Sequence, residues 1–288
     1  MTAQRGRLKI KRRALTLDQI AAQMGDDFIA AIYSAIGNRT ITDLYEGDRL
    51  DDVVEQALDR SGMADDLNRL SSTRMEIHVG LDVSMSMFDD RKGGRIVMGA
   101  MLERLLNKAF QYVTQSLPAY VFRANLWLWA AGRGSWYNDN NPYMGGQACW
   151  CLTDPGYGNP NSWRGRFSTS DVDDVLKIVG EKEPGWSGAG TFLAPLLAEI
   201  MRWELEQGSS NAHRLNIIIT DGALHDTPAC SIIQRDRGTS RLLCLLLNVG
   251  YYESSELIPE GFTQYHVELD KLADVVRDVV LAFVQSLA

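Results

Sequence analysis

At 288 residues with 45% hydrophobic content, the chain is long enough to bury one large core, and its apolar fraction excludes a wholly disordered polymer. No run approaches the ~18 uninterrupted apolar residues of a membrane helix, and the N-terminus lacks the apolar stretch of a signal peptide, so a cytoplasmic protein without membrane contact is expected. The net charge of −8 hides an asymmetry: Arg5, Arg7, Lys9, Lys11, Arg12 and Arg13 form a basic arm over residues 1–13, while the more acidic body would repel phosphate backbones, so nucleic acid is not the expected partner.

Residues 14–73 carry apolar side chains at spacings of three and four, as in LTLDQIAAQMGDDFIAAIYSAI, which is the pattern of an accessory helical segment. Gly25, Gly37 and Gly47 predict several short helices there rather than one long one. From residue 74 to 288 the pattern becomes strands alternating with helices. EIHVGL (76–81) reads as a strand, and Met98, Met101, Leu102, Leu105, Leu106, Ala109, Phe110 and Val113 recur on one face of a helix that Pro118 ends. VFRANLWLWA (121–130) reads as the next strand.

A long insertion rich in Gly, Asn, Trp and Tyr follows at about 131–169, with QACWCLTD as a candidate third strand inside it. Ser170-Asp171 starts a helix in SDVDDVLKIV; after the turn GWSGAGT, Leu193, Leu196, Leu197, Ile200 and Met201 share a helical face, with Pro195 tolerated in its first turn. LNIIIT (215–220) and RLLCLLLNV (241–249) are continuous apolar runs, as in strands covered on both faces. Phe262 to Leu269 adds a last strand, and an amphipathic helix runs from Leu272 to Leu287. This alternation predicts an α/β fold: a doubly wound, mostly parallel, Rossmann-like sheet with helices on both faces, plus a small N-terminal helical extension. Cys149 and Cys151 lie within the insertion without a C-x-x-C spacing or nearby histidines to complete a zinc site, and Cys230 and Cys244 read as buried free thiols.

In such sheets ligands bind in the crevice outside the carboxyl ends of the strands. LDVSMSM places Asp82 at one such end, followed by Ser84 and Ser86, and IIITDG places Asp221 at another. Thr191, in the glycine-rich loop before a helix, can reach the same edge. Each piece has a plainer explanation alone, since Asp and Ser cap helices and Asp-Gly makes turns; their joint occurrence on one edge favours a metal site.

The set D-V-S-M-S, GAGT and TDG resembles the von Willebrand factor A (vWA) domain with its metal-ion-dependent adhesion site (MIDAS), over roughly residues 74–288. The resemblance implies that Asp82, Ser84, Ser86, Thr191 and Asp221 hold a divalent cation. Their hard oxygen donors suit Mg²⁺, or Mn²⁺ or Ca²⁺. It further implies that Asp82 and Asp221 act partly through water, and that the ion accepts an Asp or Glu of a protein partner. Met85, Gly190 and Gly222 beside the ligands, and Trp136, Tyr137, Tyr143 and Trp163 of the insertion, are the candidate partner contacts, because aromatic side chains anchor interfaces.

Bacterial intracellular members of that family commonly serve as adaptors of MoxR-type AAA+ ATPases, which implies a separate ATPase here, since the chain has no G-x-x-x-x-G-K-[ST]. A metal-dependent hydrolase or phosphatase using Asp82 is the alternative. It is weakened by Ser84 standing where a second aspartate is expected and by the lack of a Ser-His-Asp or Cys-His arrangement, so no enzyme is expected. A component of an RNA- or DNA-associated complex, acting through the basic arm, ranks below both. His78 and His266 read as structural, and His225 as a candidate lining residue.

Overall fold

The computed structural model describes residues 16–45, 74–82, 87, 95–117, 122–129, 149–154, 156–158, 191–209, 212–221, 224, 226–236, 242–248, 261–268 and 271–286. In chain order the elements are α1 (Leu17–Tyr45), β1 (Arg74–Asp82), α2 (Arg95–Ser116), β2 (Phe122–Trp129), β3 (Cys149–Cys151), α3 (Ala194–Glu206), β4 (Ala212–Thr220), α4 (Thr227–Asp236), β5 (Leu242–Asn248), β6 (Phe262–His266) and α5 (Leu272–Gln285). The helix expected from Ser170, the basic arm and most of the 131–169 insertion lie outside the described residues.

Six strands form one sheet in the order β3-β2-β1-β4-β5-β6. All neighbours run parallel except β3, which pairs antiparallel with β2 through Trp127 with Cys151 and Trp129 with Cys149. The order reverses between β1 and β4, as in doubly wound folds, so α/β architecture with helices on both faces is what the alternating pattern builds.

Side chains alternating along β1 explain the two core layers. Met75, Ile77, Val79 and Leu81 point to one face, where they join Leu106, Phe110 and Val113 of α2, Val276 and Val280 of α5, and Phe28 and Ile32 of α1. On the other face Trp127 and Trp129 of β2 and Ile218 of β4 pack with Leu196, Leu197 and Ile200 of α3 and Cys230 and Ile233 of α4. Gly80 of β1 faces this second layer, and a Cβ there would stand 2.6 Å from Leu196 Cδ2. The missing side chain is what lets α3 lie close against β1.

The N-terminal segment corrects one expectation. Instead of breaking at Gly25 and Gly37, α1 runs unbroken for 29 residues. It is packed on α2 and α5 and shares their core. Gly25 sits at the crossing with α2: a Cβ there would meet Tyr112 Cδ1 at 2.6 Å and the Ala109 carbonyl oxygen at 3.3 Å. A glycine that reads as a helix break in isolation is a close helix–helix approach in the fold. Phe28 stacks on Phe110 at 6.0 Å between ring centroids, and Lys108 of α2 pairs with Asp18 of α1.

Among the described residues no helix is long and apolar enough to cross a membrane. Within the described part of the insertion, Trp150 and Tyr157 are both buried. Cys149, Cys151 and Cys230 are buried free thiols, whereas the Cys244 side chain lies outside the described residues.

Candidate metal centre

β1 and β4 are adjacent parallel strands, in register from Arg74 with Ala212 to Leu81 with Ile219. The next residue of each strand is therefore Asp82 and Thr220, and Asp221 follows at once. After β1 the chain turns to α2 on one face; after β4 it turns to α4 on the other. The two connections leave in opposite directions and open a crevice between the strand ends, which is the switch point where doubly wound sheets bind ligands. Asp82 and Asp221 stand on its two sides, both fully buried.

Asp82 is held in place by β4. The Thr220 hydroxyl donates to Asp82 Oδ2 at 2.7 Å in a buried hydrogen bond. A short bond to a carboxylate fixes its rotamer and directs its second oxygen. Sequence reading gave Thr220 no role beyond ending a strand; the TDG motif held the signal, but only the register shows that its threonine faces Asp82.

Thr191 is 4% exposed and lies three residues before α3. That helix has no cap of its own: the N-cap position is Leu193, which makes no side-chain cap bond, and Pro195 stands in the first turn. The cap comes from the far side of the crevice. Asp226, five residues after Asp221, accepts the backbone amide of Leu193 on Oδ1 at 3.0 Å and that of Ala194 on Oδ2 at 2.7 Å. Its own backbone carbonyl meanwhile accepts Cys230 N–H at 3.0 Å and so opens α4. The Cys230 thiol donates to Oδ1 at 3.7 Å. Burial pushes the Asp226 carboxyl up, and the two amide hydrogen bonds oppose that shift.

Of the five expected ligands, Asp82 and Asp221 stand at the ends of the adjacent strands β1 and β4, and Thr191 precedes α3, the helix whose first amides Asp226 holds. Ser84 and Ser86 lie outside the described residues, as do Met85, Gly190, Gly222, Trp136, Tyr137, Tyr143, Trp163 and His225. A hard divalent cation fits the described donors, because they are two carboxylates and a hydroxyl, with no thiolate or imidazole to select a softer metal. No group of three or more His, Cys, Asp or Glu side chains is drawn together among the described residues.

No protein-family model matches the chain, and no curated protein does. Among solved structures, proximal thread matrix protein 1 from the mussel byssus superposes over 74% of this chain and 48% of its own, at 12% identity and a TM-score of 0.39 in one crystal form. The same protein with a zinc-occupied MIDAS motif gives 12% identity and a TM-score of 0.41 over the same shares, and a further structure of it gives 13% and 0.37. The chain spans about half the length of these structures. Overlaps this loose carry no argument about the site.

The remaining face of α3 is fastened well away from the crevice. Trp203 Nε1 donates to Asp154 Oδ2 at 3.0 Å, the Gly158 amide to Glu199 Oε2 at 2.9 Å, and the Tyr157 hydroxyl to Glu206 Oε2 at 2.9 Å. Near its C-terminal end Glu204 lies 3.8 Å from Arg214, which bonds Glu76 at 2.9 Å. His78, fully buried in β1, accepts from Trp127 Nε1 at 3.2 Å, with Nε2 3.9 Å from Glu204 and its ring edge-on to Trp203 at 5.0 Å. These contacts make His78 structural, as expected, whereas His266 is exposed at the sheet edge.

Proposed function

We propose that the chain is a metal-dependent protein-interaction module of the vWA type, in which Asp82, Ser84, Ser86, Thr191 and Asp221 hold a divalent cation, Mg²⁺ first and Mn²⁺ or Ca²⁺ next. The observation that supports this most is the pair of buried carboxylates, Asp82 and Asp221, on the two sides of the switch point between β1 and β4. Bound there, the cation supplies an electrophilic centre that attracts the carboxylate of an Asp or Glu on a partner protein.

The chain's own residues do the rest. Thr220 orients Asp82, Asp226 anchors the helix behind Thr191, and the neutral hydroxyls of Thr191, Ser84 and Ser86 complete a donor set without cancelling the ion's charge. The partner is a protein, and by the resemblance of its motif the module serves as an adaptor for a separate MoxR-type AAA+ ATPase in the cytoplasm. No catalytic step belongs to this reading.

Capture from cell extract tests it, with wild type and Asp82→Ala compared in Mg²⁺ and in EDTA, alongside calorimetric titration of Mg²⁺ and Mn²⁺. Wild type should bind the ion and retain a partner only when it is present, and Asp82→Ala should do neither while still unfolding in one cooperative transition in EDTA. Equal partner retention by both proteins would remove the metal from recognition, and undiminished ion affinity in Asp82→Ala would remove it from this crevice.

A further inference from the structure

Asp226 belongs to none of the motif's positions, yet it joins both sides of the crevice. Its backbone begins α4 on the Asp221 side, and its carboxylate takes the first two amides at the start of α3 on the Thr191 side. The side chain is 1% exposed, so these bonds are made without competing water. An aspartate at a helix N-cap ordinarily serves its own helix; here it serves another, whose own cap residue is a leucine. The anionic side chain also lies where the α3 dipole favours negative charge.

Between Thr191 and the first captured amide there is a single residue, Phe192. Asp221 and Asp226 are separated by four. The carboxylate therefore closes a short covalent and hydrogen-bonded circuit that runs from one ligand to the other. α3 is held independently along its far side by Asp154, Tyr157, Gly158 and Arg214. Its front end, which follows Thr191, is tied to the start of α4 by the Asp226 carboxylate.

We infer that Asp226 is a positioning residue of the metal centre: by capping α3 from the start of α4 it sets the distance between Thr191 and Asp221, so that the two loops meet the ion as one unit. This rests on the metal reading proposed above. Partners one step removed from a metal commonly change affinity by about 10- to 100-fold when lost.

Asp226→Asn keeps the shape, retains one acceptor and turns the other into a donor facing an amide. Its Mn²⁺ affinity, measured by calorimetry and by the Mn²⁺ resonance signal, should fall about tenfold. The effect should be absent in a Thr191→Ala background, because an action routed through Thr191 has nothing left to route. Asp226→Ser, which can cap one amide, should lie between Asn and wild type. Hydrogen exchange of the wild type supplies a readout free of substitution: Mn²⁺ should slow the Leu193 and Ala194 amides together with the first turn of α4.

An unchanged affinity in Asp226→Asn, or a loss equally large with and without Thr191, would overturn the positioning role, the latter showing a general effect on stability. If the variants do not fold, wild-type exchange decides: protection of one loop without the other overturns the proposal. The failure of the underlying reading looks different, since wild type would then bind no divalent ion, or Thr191→Ala would bind it as well as wild type, and both proposals would fall together.

Discussion

Thr220 serves the crevice with an atom that strand formation leaves over. Its backbone pairs with β5, and its hydroxyl holds Asp82. Replacing it with valine keeps the volume and the strand preference but takes away the donor, leaving a buried carboxylate oxygen short of a bond at a cost of about 1–3 kcal/mol. Thr220→Val should therefore lower the melting temperature in EDTA and weaken Mn²⁺ binding by about 10-fold or more, whereas Thr220→Ser should restore most of both. Calorimetry on the pair checks this, and equal affinities for Val and Ser would show that Asp82 needs no orienting partner. Asp82, Thr191 and Asp221 stand out by residue type and order. Thr220 and Asp226 do not, because what makes them matter is a partner 138 residues away in one case and 32 and 33 in the other. An Asp followed by Thr-Pro does announce a helix start; it does not announce that the side chain serves a different helix.

Elements were read from their periodicity with mixed success, and the reasons are local. β1, β2, β4 and β5 each lie within a few residues of the expected spans, because each is a short segment rich in apolar strand formers. The three-residue β3 was found only as a candidate within QACWCLTD, since so short a strand has no period to read. The final strand ends at His266, sooner than expected, and α5 begins at Leu272 as its apolar stripe requires. α1 is one long helix instead of the expected short ones, and at Gly25 the deciding contact comes from another helix. Its importance for stability can be measured. Phe28→Ala removes a fully buried ring stacked on Phe110 and should cost about 3–5 kcal/mol, read from urea unfolding, while Mn²⁺ affinity of the folded protein stays at the wild-type value. A loss under 1 kcal/mol would mean that α1 contributes little to the core on which the sheet rests.

At the scale of the molecule, the two faces of the sheet divide the labour. One face, with α1, α2 and α5, is the larger apolar cluster; the other, with α3 and α4, carries Thr191 and Asp226 along with the buried ion pair of Glu76 and Arg214. Burial raises the Glu76 carboxyl, and the Ser209 amide and the Arg214 guanidinium pull it back. The thiols of the second face report on its integrity. Burial raises Cys149 and Cys230 well above the usual thiol range and pushes Cys151 up to about 12, so none of the three carries appreciable thiolate near pH 8. Iodoacetamide at that pH should leave all three unlabelled in the native protein and label them fully in urea, as read by peptide mass. Rapid labelling of the native state would show that this face opens without global unfolding.

The pairing of α1 with α5 has a consequence for the order in which the protein can be finished. These helices are the first and last of the described elements, and both contribute to the cluster around Phe28 and Ile32. During synthesis α1 is made before the helices on which it packs, and part of its own cover arrives only with α5. Contacts that span almost the whole sequence close late, after every intervening loop has been restricted. A nascent chain therefore carries an apolar stripe on α1 through most of translation, and that stripe is the surface on which premature aggregation or chaperone capture would act.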